Sequence, residues 1–137
     1  MRRAMLLLGA VLFVGTATAF RFDGGPLTSD GPSPATDPYQ VGPASWYGPG
    51  FHGRQTANGE RFDQDAMTMA HRNMKFGTCV RVTRVDTGDS VMVRVNDRGP
   101  YVQPRIADLS RGAAAELGML HRGVVEVELE PLPEAVC

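Results

Sequence analysis

The amino-acid sequence predicts a mainly β fold: a small closed barrel of six short strands accompanied by one short α-helix. Short apolar runs separated by turn residues dominate the chain, and only one stretch has the period of a helix. The 137 residues include 16 glycines and 10 prolines, which is typical of a turn-rich β protein. A chain of this length holds one domain with its own core, and closure into a barrel leaves no strand edge bare.

The best-marked strands form a hairpin, in which residues 79–85 and 90–95 alternate between apolar and polar side chains across a short turn. The predicted helix over 111–117 follows Ser110, a good N-cap residue, and Gly118 can end it. The other four predicted strands cover residues 44–48, 67–71, 105–107 and 124–129.

The N-terminal part of the chain is expected to lie outside the barrel. A basic start, an apolar run and small residues up to Ala19 predict a signal peptide over 1–19 and hence export to the periplasm or the extracellular space. The apolar run is short for a spanning helix and no cysteine follows it, so we expect no stable membrane anchor. Residues 20–42 are rich in proline and glycine and predict a linker. The barrel domain is then 43–131, followed by a tail over 132–137.

Composition argues against several classes of protein. The formal net charge is −1 and Lys75 is the only lysine, so nothing predicts binding to nucleic acid. The three histidines, His52, His71 and His121, lack the close spacing of a metal site. We therefore expect neither a metal ion nor another cofactor.

The two cysteines, Cys79 and Cys137, suit an oxidising compartment. A bond between them would tie the last residue to the start of the predicted hairpin. In the chain-entropy model, closing so long a loop stabilises the fold by roughly 4 kcal/mol. Two free thiols or an intermolecular bridge are the alternatives to the intramolecular disulfide that we expect.

The most informative stretch is 90–110. Its first strand runs into a turn at 96–100, and a second short apolar piece ends at Asp108. Asp97 and Asp108 are thus predicted at strand ends on either side of one loop, where rigid strands often hold binding and catalytic groups. The alternatives are a turn residue for Asp97 and a helix cap for Asp108.

Six motifs occur in the order and approximate spacing of the rare lipoprotein A family, which the chain resembles: ASWYG (44–48), FHGR (51–54), TANGE (56–60), TMAH (68–71), NDRGP (96–100) and DLS (108–110). The resemblance covers essentially the whole predicted barrel and implies a double-psi β-barrel, related to expansins. It also implies a septal-ring lytic transglycosylase, which cleaves peptidoglycan glycan strands between MurNAc and GlcNAc and leaves 1,6-anhydro ends. Peptidoglycan would be the substrate and the division site the source of protein partners, and we expect a monomer.

The resemblance further implies the catalytic residues. Glu60, Asp63, His71 and Asp97 match family positions associated with activity, and Asp108 matches the acid of more distant barrel relatives. Cleavage of a glycosidic bond needs a carboxylic acid for the leaving oxygen and stabilisation of an oxocarbenium-like transition state. Because the 6-hydroxyl of MurNAc is the nucleophile, one carboxyl group acting first as acid and then as base suffices. We expect Asp97 and Asp108 to face each other across a groove, with Glu60 or Asp63 nearby.

Aromatic and basic residues are the candidates for substrate binding. Tyr47 and Tyr101 could stack on sugar rings, while Arg54 and Arg98 could contact substrate oxygens or hold carboxylates in place. Arg105 could do the same or form only a surface ion pair. An expansin-like module that grips wall polysaccharide without cutting it is the alternative function, and a hydrolase would differ from the transglycosylase only in its product.

Overall fold

A computed structural model of the chain describes residues 39–137, so the predicted signal peptide and most of the predicted linker lie outside the described residues. Within this range no helix is long and apolar enough to span a membrane. The elements in chain order are β1 Gln40–Trp46, β2 Thr68–Ala70, β3 Cys79–Arg84, β4 Ser90–Asp97, β5 Ala107–Leu109, α1 Arg111–Glu116 and β6 Val125–Leu132.

The six strands close into a barrel in the order β1-β5-β2-β4-β3-β6. β1 pairs with β5 in parallel, as does β2 with β4, and the other neighbouring strands are antiparallel. This mixed, closed arrangement confirms the predicted fold class, a six-stranded double-psi β-barrel with one short helix.

The first strand begins earlier than the sequence predicts. β1 starts at Gln40, inside the segment predicted as linker, because its backbone pairs with β6 from the register Gln40 opposite Leu129 onward. Gly42 and Pro43 interrupt the alternation that marks a strand, so no local signal was present there. Gly42 also allows a close approach by Ile106, since a Cβ at this position would lie 3.0 Å from its Cγ2 atom.

Two further strands differ in their bounds. β5 is Ala107–Leu109 rather than 105–107, so Asp108 lies inside the strand. Its two neighbours, β1 and β2, decide this position, because three residues contain too little alternation to define a strand alone. β6 continues to Leu132 because its pairing with β3 extends as far as Cys79.

Alternate side chains of three strands fill the barrel. The alternation along β3, β4 and β6 turns every second side chain inward, as the strand period requires. These inward residues are fully buried: Val80, Val82, Val93, Val95, Val127 and Leu129. α1 adds Ala113 and Ala114 to the same core, and Leu117, the residue after its last turn, packs there too. Burial of each valine or leucine stabilises the fold by about 1.5–3 kcal/mol.

The start of α1 is fixed to the loop that precedes β2. The Ser110 Oγ accepts a hydrogen bond from the Ala113 N–H over 3.2 Å and donates to the Ala66 carbonyl over 2.5 Å. A Cβ at Gly112 would lie 2.6 Å from the Asp65 carbonyl oxygen, so only glycine allows this contact. Because Ser110 directly follows β5, these contacts also restrain the strand that carries Asp108.

A disulfide joins Cys79 to Cys137, with Cα atoms 5.6 Å apart. It attaches the end of the chain to the first residue of β3, and no free cysteine remains within 39–137. The loop that it closes spans 58 residues of sequence separation, for which the chain-entropy model gives roughly 4 kcal/mol.

Candidate active site

A groove of about 660 Å³ lies between the loop that follows β1 and the loop that follows β4. This volume lies within the roughly 300–1,000 Å³ typical of ligand pockets. Its charged and aromatic lining residues are Asp97, Asp108, Arg54, Arg98, Arg105, Trp46, Tyr47, Phe51, Phe62 and Tyr101. No cluster of His, Cys, Asp and Glu able to hold a metal ion occurs in the described part of the chain.

The two aspartates of the groove lie on either side of one residue. Ala70 of β2 is in register with Asp97 of β4 on one side and with Asp108 of β5 on the other. Ser45 of β1 is in turn opposite Asp108. Two strand spacings separate the aspartate Cα atoms by roughly 10 Å. Barrel closure therefore brings Asp97 and Asp108 to the floor of the same groove.

Three donors hold the Asp97 carboxylate. The Tyr47 hydroxyl donates to Oδ2 over 2.8 Å. The backbone N–H groups of Ala57 and Arg98 donate to Oδ1 over 2.9 and 2.8 Å. Asp97 thus joins the end of β4 to the loop that follows β1, while its side chain faces the groove.

Tyr47 supports Asp97 from within an aromatic cluster. Its ring centroid lies 5.6 Å from that of Phe51 and 4.8 Å from that of Phe62. Burial and the hydrogen bond to Asp97 raise the pKa of Tyr47 above its usual value, so the phenol remains protonated and donates. Tyr47, predicted to stack on sugar, therefore lines the groove with its hydroxyl already engaged.

Asp108 is held differently. Its Oδ1 accepts a hydrogen bond from the Ser45 Oγ over 2.5 Å and lies 3.8 Å from the Arg105 Nε. Among residues 39–137 no donor contacts its Oδ2. One oxygen of Asp108 is therefore available to a substrate.

Glu60 is absent from the groove lining. Its carboxylate accepts two hydrogen bonds from the Arg94 guanidinium, over 2.8 and 3.1 Å, and one from the Asn96 side chain over 2.8 Å. The hydrogen bonds from Arg94 lower the pKa of Glu60 to about 2. Glu60 therefore carries a permanent charge near neutral pH and anchors its loop to β4.

His71 is also outside the groove, and it is only 3% exposed. Its Nδ1 accepts hydrogen bonds from the Asn73 and Met74 N–H groups over 3.2 and 3.0 Å, and its Nε2 lies 2.9 Å from the Gln40 Oε1. Burial, together with the charges of Arg72 and Arg98, lowers the pKa of His71 to about 4. The ring is therefore neutral, and it shapes the turn after β2.

The remaining predicted catalytic residue, Asp63, lies on an exposed turn outside the groove lining, where its Oδ1 accepts the Asp65 N–H over 2.9 Å. The structure thus brings Asp97 and Asp108 together and separates Glu60, Asp63 and His71 from the groove.

The other predicted substrate-binding residues line the groove in different ways. Tyr101 is 75% exposed at the rim. The Arg54 guanidinium lies 5.3 Å from the centroid of the Phe51 ring. The Arg98 guanidinium turns away from the groove: it lies 3.7 Å from the Phe76 ring centroid and donates to the Met74 carbonyl over 2.9 Å.

Ser45 was not predicted from the sequence as a site residue. Strand alternation offered a signal, because Ser45 and Tyr47 are two residues apart and so point to the same side. Arg94 and Asn96, which hold Glu60, had no comparable signal, since their partner lies more than thirty residues away, at separations of 34 and 36.

The fold and the groove define a class: double-psi β-barrel proteins with two carboxylates in an aromatic-walled groove. The family model described as lytic transglycolase matches residues 39–129, and the chain belongs to this family.

Two curated relatives show how far the similarity extends. The chain is 60% identical over 89 residues to the probable endolytic peptidoglycan transglycosylase RlpA of Synechocystis, covering 65% of this chain and 28% of the relative. It is 52% identical over 89 residues to the endolytic peptidoglycan transglycosylase RlpA of Campylobacter jejuni, covering 65% and 32%. The chain therefore spans about a third of the length of these relatives.

A solved structure of an expansin from Clavibacter michiganensis matches with a TM-score of 0.58 and 23% identity, covering 72% of this chain and 52% of the expansin. At this identity the similarity concerns the fold alone.

Proposed function

We propose that this chain is an endolytic peptidoglycan transglycosylase, which cleaves the β-1,4 bond between MurNAc and GlcNAc and leaves 1,6-anhydro-MurNAc ends. The observation that carries the proposal is the position of Asp97 and Asp108 in one groove, on either side of Ala70. Family membership and the names of the matched relatives support the same reaction.

In the proposed reaction, Asp108 carries a proton on Oδ2, the oxygen without a protein donor, and passes it to the glycosidic oxygen. The bond between C1 of MurNAc and that oxygen breaks, and positive charge develops on C1 and the ring oxygen. The 6-hydroxyl of the same sugar then attacks C1. As the C1–O6 bond forms, the hydroxyl proton passes to the Asp108 carboxylate and restores the acid.

Asp97 serves as the fixed negative charge beside the developing cation. Three donors stabilise this charge and hold the carboxylate in one orientation. Glu60 and His71 act on the groove through the loops that they anchor, and we assign no proton transfer to either. Asp63 supports a turn in the same way.

The groove offers two kinds of contact to a glycan strand. The exposed ring of Tyr101 presents an apolar face to a sugar at the rim. Arg54, near Phe51, presents a cation that can donate to acetamido or carboxylate oxygens of the substrate. Together they give a glycan strand one stacking contact and one charged contact.

We further propose that the protein works in the periplasmic or extracellular cell-wall space. The signal-peptide pattern over 1–19 supports export, and peptidoglycan lies on that side of the membrane. We expect it to act as a monomer, with proteins of the division site as its partners.

A digest of purified sacculi, intact and stripped of stem peptides by an amidase, tests the proposal. The mature protein is compared with Asp97→Asn and Asp108→Asn variants, and with Asp89→Asn as a control on the exposed turn between β3 and β4. Mass spectrometry should find 1,6-anhydro ends with the wild type and the control but not with the two groove variants. Reducing ends would instead indicate a hydrolase, and co-sedimentation with uncut sacculi would indicate an expansin-like binding module.

A further inference from the structure

Arg105 is a charged residue of the groove to which the proposed reaction assigns no role. It lies two residues before β5, and its Nη1 donates a hydrogen bond to the Ser45 Oγ over 3.0 Å. The same Ser45 hydroxyl donates to Asp108 Oδ1. A continuous chain of hydrogen bonds therefore leads from the Arg105 guanidinium through Ser45 to the carboxyl group of Asp108. Ser45 is only 6% exposed, so this chain is largely shielded from solvent.

The Nε of Arg105 is the unusual atom in this arrangement. It is buried and makes no hydrogen bond to any described residue. Its distance of 3.8 Å from Asp108 Oδ1 is within ion-pair range but too long for a hydrogen bond. A buried donor without a partner is destabilising, so the presence of this free N–H beside an acid needs an explanation.

The backbone of Arg105 is held in place from a separate direction. The Arg72 Nη1 donates to the carbonyl oxygens of Pro100 and Arg105 over 3.2 and 3.1 Å. The Arg105 N–H donates to the Val102 carbonyl over 3.1 Å. These contacts close the loop between β4 and β5, and they fix the base of the side chain that reaches Asp108.

We propose that Arg105 is a positioning residue for Asp108, and that its free Nε–H donates to Oδ1 once Asp108 has given up its proton. This inference rests on the proposed function. The proton leaves Asp108 for the glycosidic oxygen, while Nε and the Ser45 Oγ keep their own hydrogens and donate them to the new carboxylate. A shift of less than 1 Å brings Nε from 3.8 Å to hydrogen-bond distance.

This role differs in kinetics from substrate binding. An interaction that is absent in the ground state and made in the transition state raises kcat and leaves KM unchanged. A guanidinium that only bound the glycan would change KM. A surface ion pair would change neither.

The test measures kcat and KM on amidase-stripped glycan strands for wild type, Arg105→Met, Arg105→Lys and Ser45→Ala. Arg81→Met is the matched control, since Arg81 pairs with Glu130 on the outer face of the barrel at 2.7 Å. Thermal unfolding of every variant checks that the fold is kept.

Arg105→Met should lower kcat about 10- to 100-fold while KM changes less than about twofold. Arg105→Lys should have a kcat close to that of Arg105→Met, because one ammonium group cannot donate to Ser45 and Asp108 together as the guanidinium does. Ser45→Ala should lower kcat by a smaller factor, and Arg81→Met should match the wild type.

An unchanged kcat in Arg105→Met, a rise in KM alone, or full rescue by lysine would overturn the role of Arg105 while leaving the proposed function standing. A wild-type protein that cleaves no glycan would overturn the proposed function, and this inference with it.

Discussion

The groove pair, Asp97 and Asp108, can be compared with an anchoring pair, Glu60 and His71, which comes from the same set of motifs. The groove pair faces the cavity from β4 and β5, the two strands on either side of β2. The anchoring pair is absent from the groove lining and is hydrogen-bonded to protein groups. Every hydrogen-bonding atom of the Glu60 carboxylate and of the His71 ring has a protein partner, whereas Asp108 Oδ2 has none within the described residues. Both oxygens of Asp97 also have protein donors, and Asp97 belongs to the groove pair because it lines the groove.

This difference separates two uses of a titratable side chain. Hydrogen bonds from Arg94 lower the pKa of Glu60 and keep it charged near neutral pH, whereas burial lowers the pKa of His71 and keeps its ring neutral. Both side chains stabilise the loops that they anchor. A group with one free oxygen in a groove can exchange a proton with a substrate. Substitutions in the groove pair should therefore change activity, and substitutions in the anchoring pair should change stability.

The largest effect is expected from the groove pair. Asp108→Asn removes the transferable proton and should slow cleavage by about 10²–10⁴-fold, or about 3–5 kcal/mol in the barrier. Asp97→Asn keeps its hydrogen bonds, because the Tyr47 hydroxyl can turn to accept from the new amide, but it loses the charge. We expect the rate of cleavage by Asp97→Asn to fall on the order of 100-fold. Product rates and thermal unfolding check both variants, and a stable Asp108→Asn enzyme with full activity would remove the distinction between the pairs.

The next effect is the pH dependence of stability that His71 causes. Its pKa is about 4 in the folded protein against 6.5 unperturbed, so the unfolded state binds the proton more readily. Stability is fully present above about pH 6.5 and is lost as the pH falls toward 4, by about 3 kcal/mol. Urea unfolding at pH 7.5 and pH 4 measures this loss.

The matched control for that measurement is His71→Asn. Its side-chain oxygen can accept the Asn73 and Met74 N–H groups without titrating, and all other acids remain the same. The wild type should lose more stability than the variant between the two pH values. Equal losses would mean that His71 does not contribute to the pH dependence.

A smaller effect is expected for Glu60→Gln. At pH 7 the variant should lose about 1 kcal/mol, because charge-assisted hydrogen bonds to Arg94 are weakened and the pair is about one-third exposed. Since the pKa of Glu60 is lowered to about 2, its contribution is present above pH 4.5 and declines below that value. The difference between variant and wild type should therefore narrow at pH 3, as unfolding at both pH values would reveal. An equal difference in the free energy of unfolding at both pH values would mean that Glu60 stabilises the fold by packing and not by its charge.

The smallest effect is expected from Tyr47, which supports one member of the groove pair. Tyr47→Phe removes one donor from Asp97 but keeps the ring against Phe51 and Phe62. We expect a loss of about 0.5–1 kcal/mol in stability and a modest fall in kcat, measured on the same glycan substrate. A change in stability without any change in rate would place Tyr47 with the anchoring residues.

Local patterns predicted much of the barrel. The hairpin of β3 and β4 and the Ser110-capped helix were predicted because alternation and capping act between residues close in sequence. The early start of β1 and the position of β5 were missed, because both depend on strands distant in sequence. Gly42 and Pro43 interrupt the strand pattern in the first half of β1, which is a strand because it pairs with β6.

The sequence by itself determined the fold class, the strands whose alternate side chains fill the core, and Asp97 and Asp108 as candidate groove residues. Only the tertiary structure decided which acids share the groove. Glu60 meets Arg94 across 34 residues of sequence, and His71 meets Gln40 across 31. A side chain's protonation and direction depend on such partners, and barrel closure, rather than any local pattern, brings them within hydrogen-bonding distance.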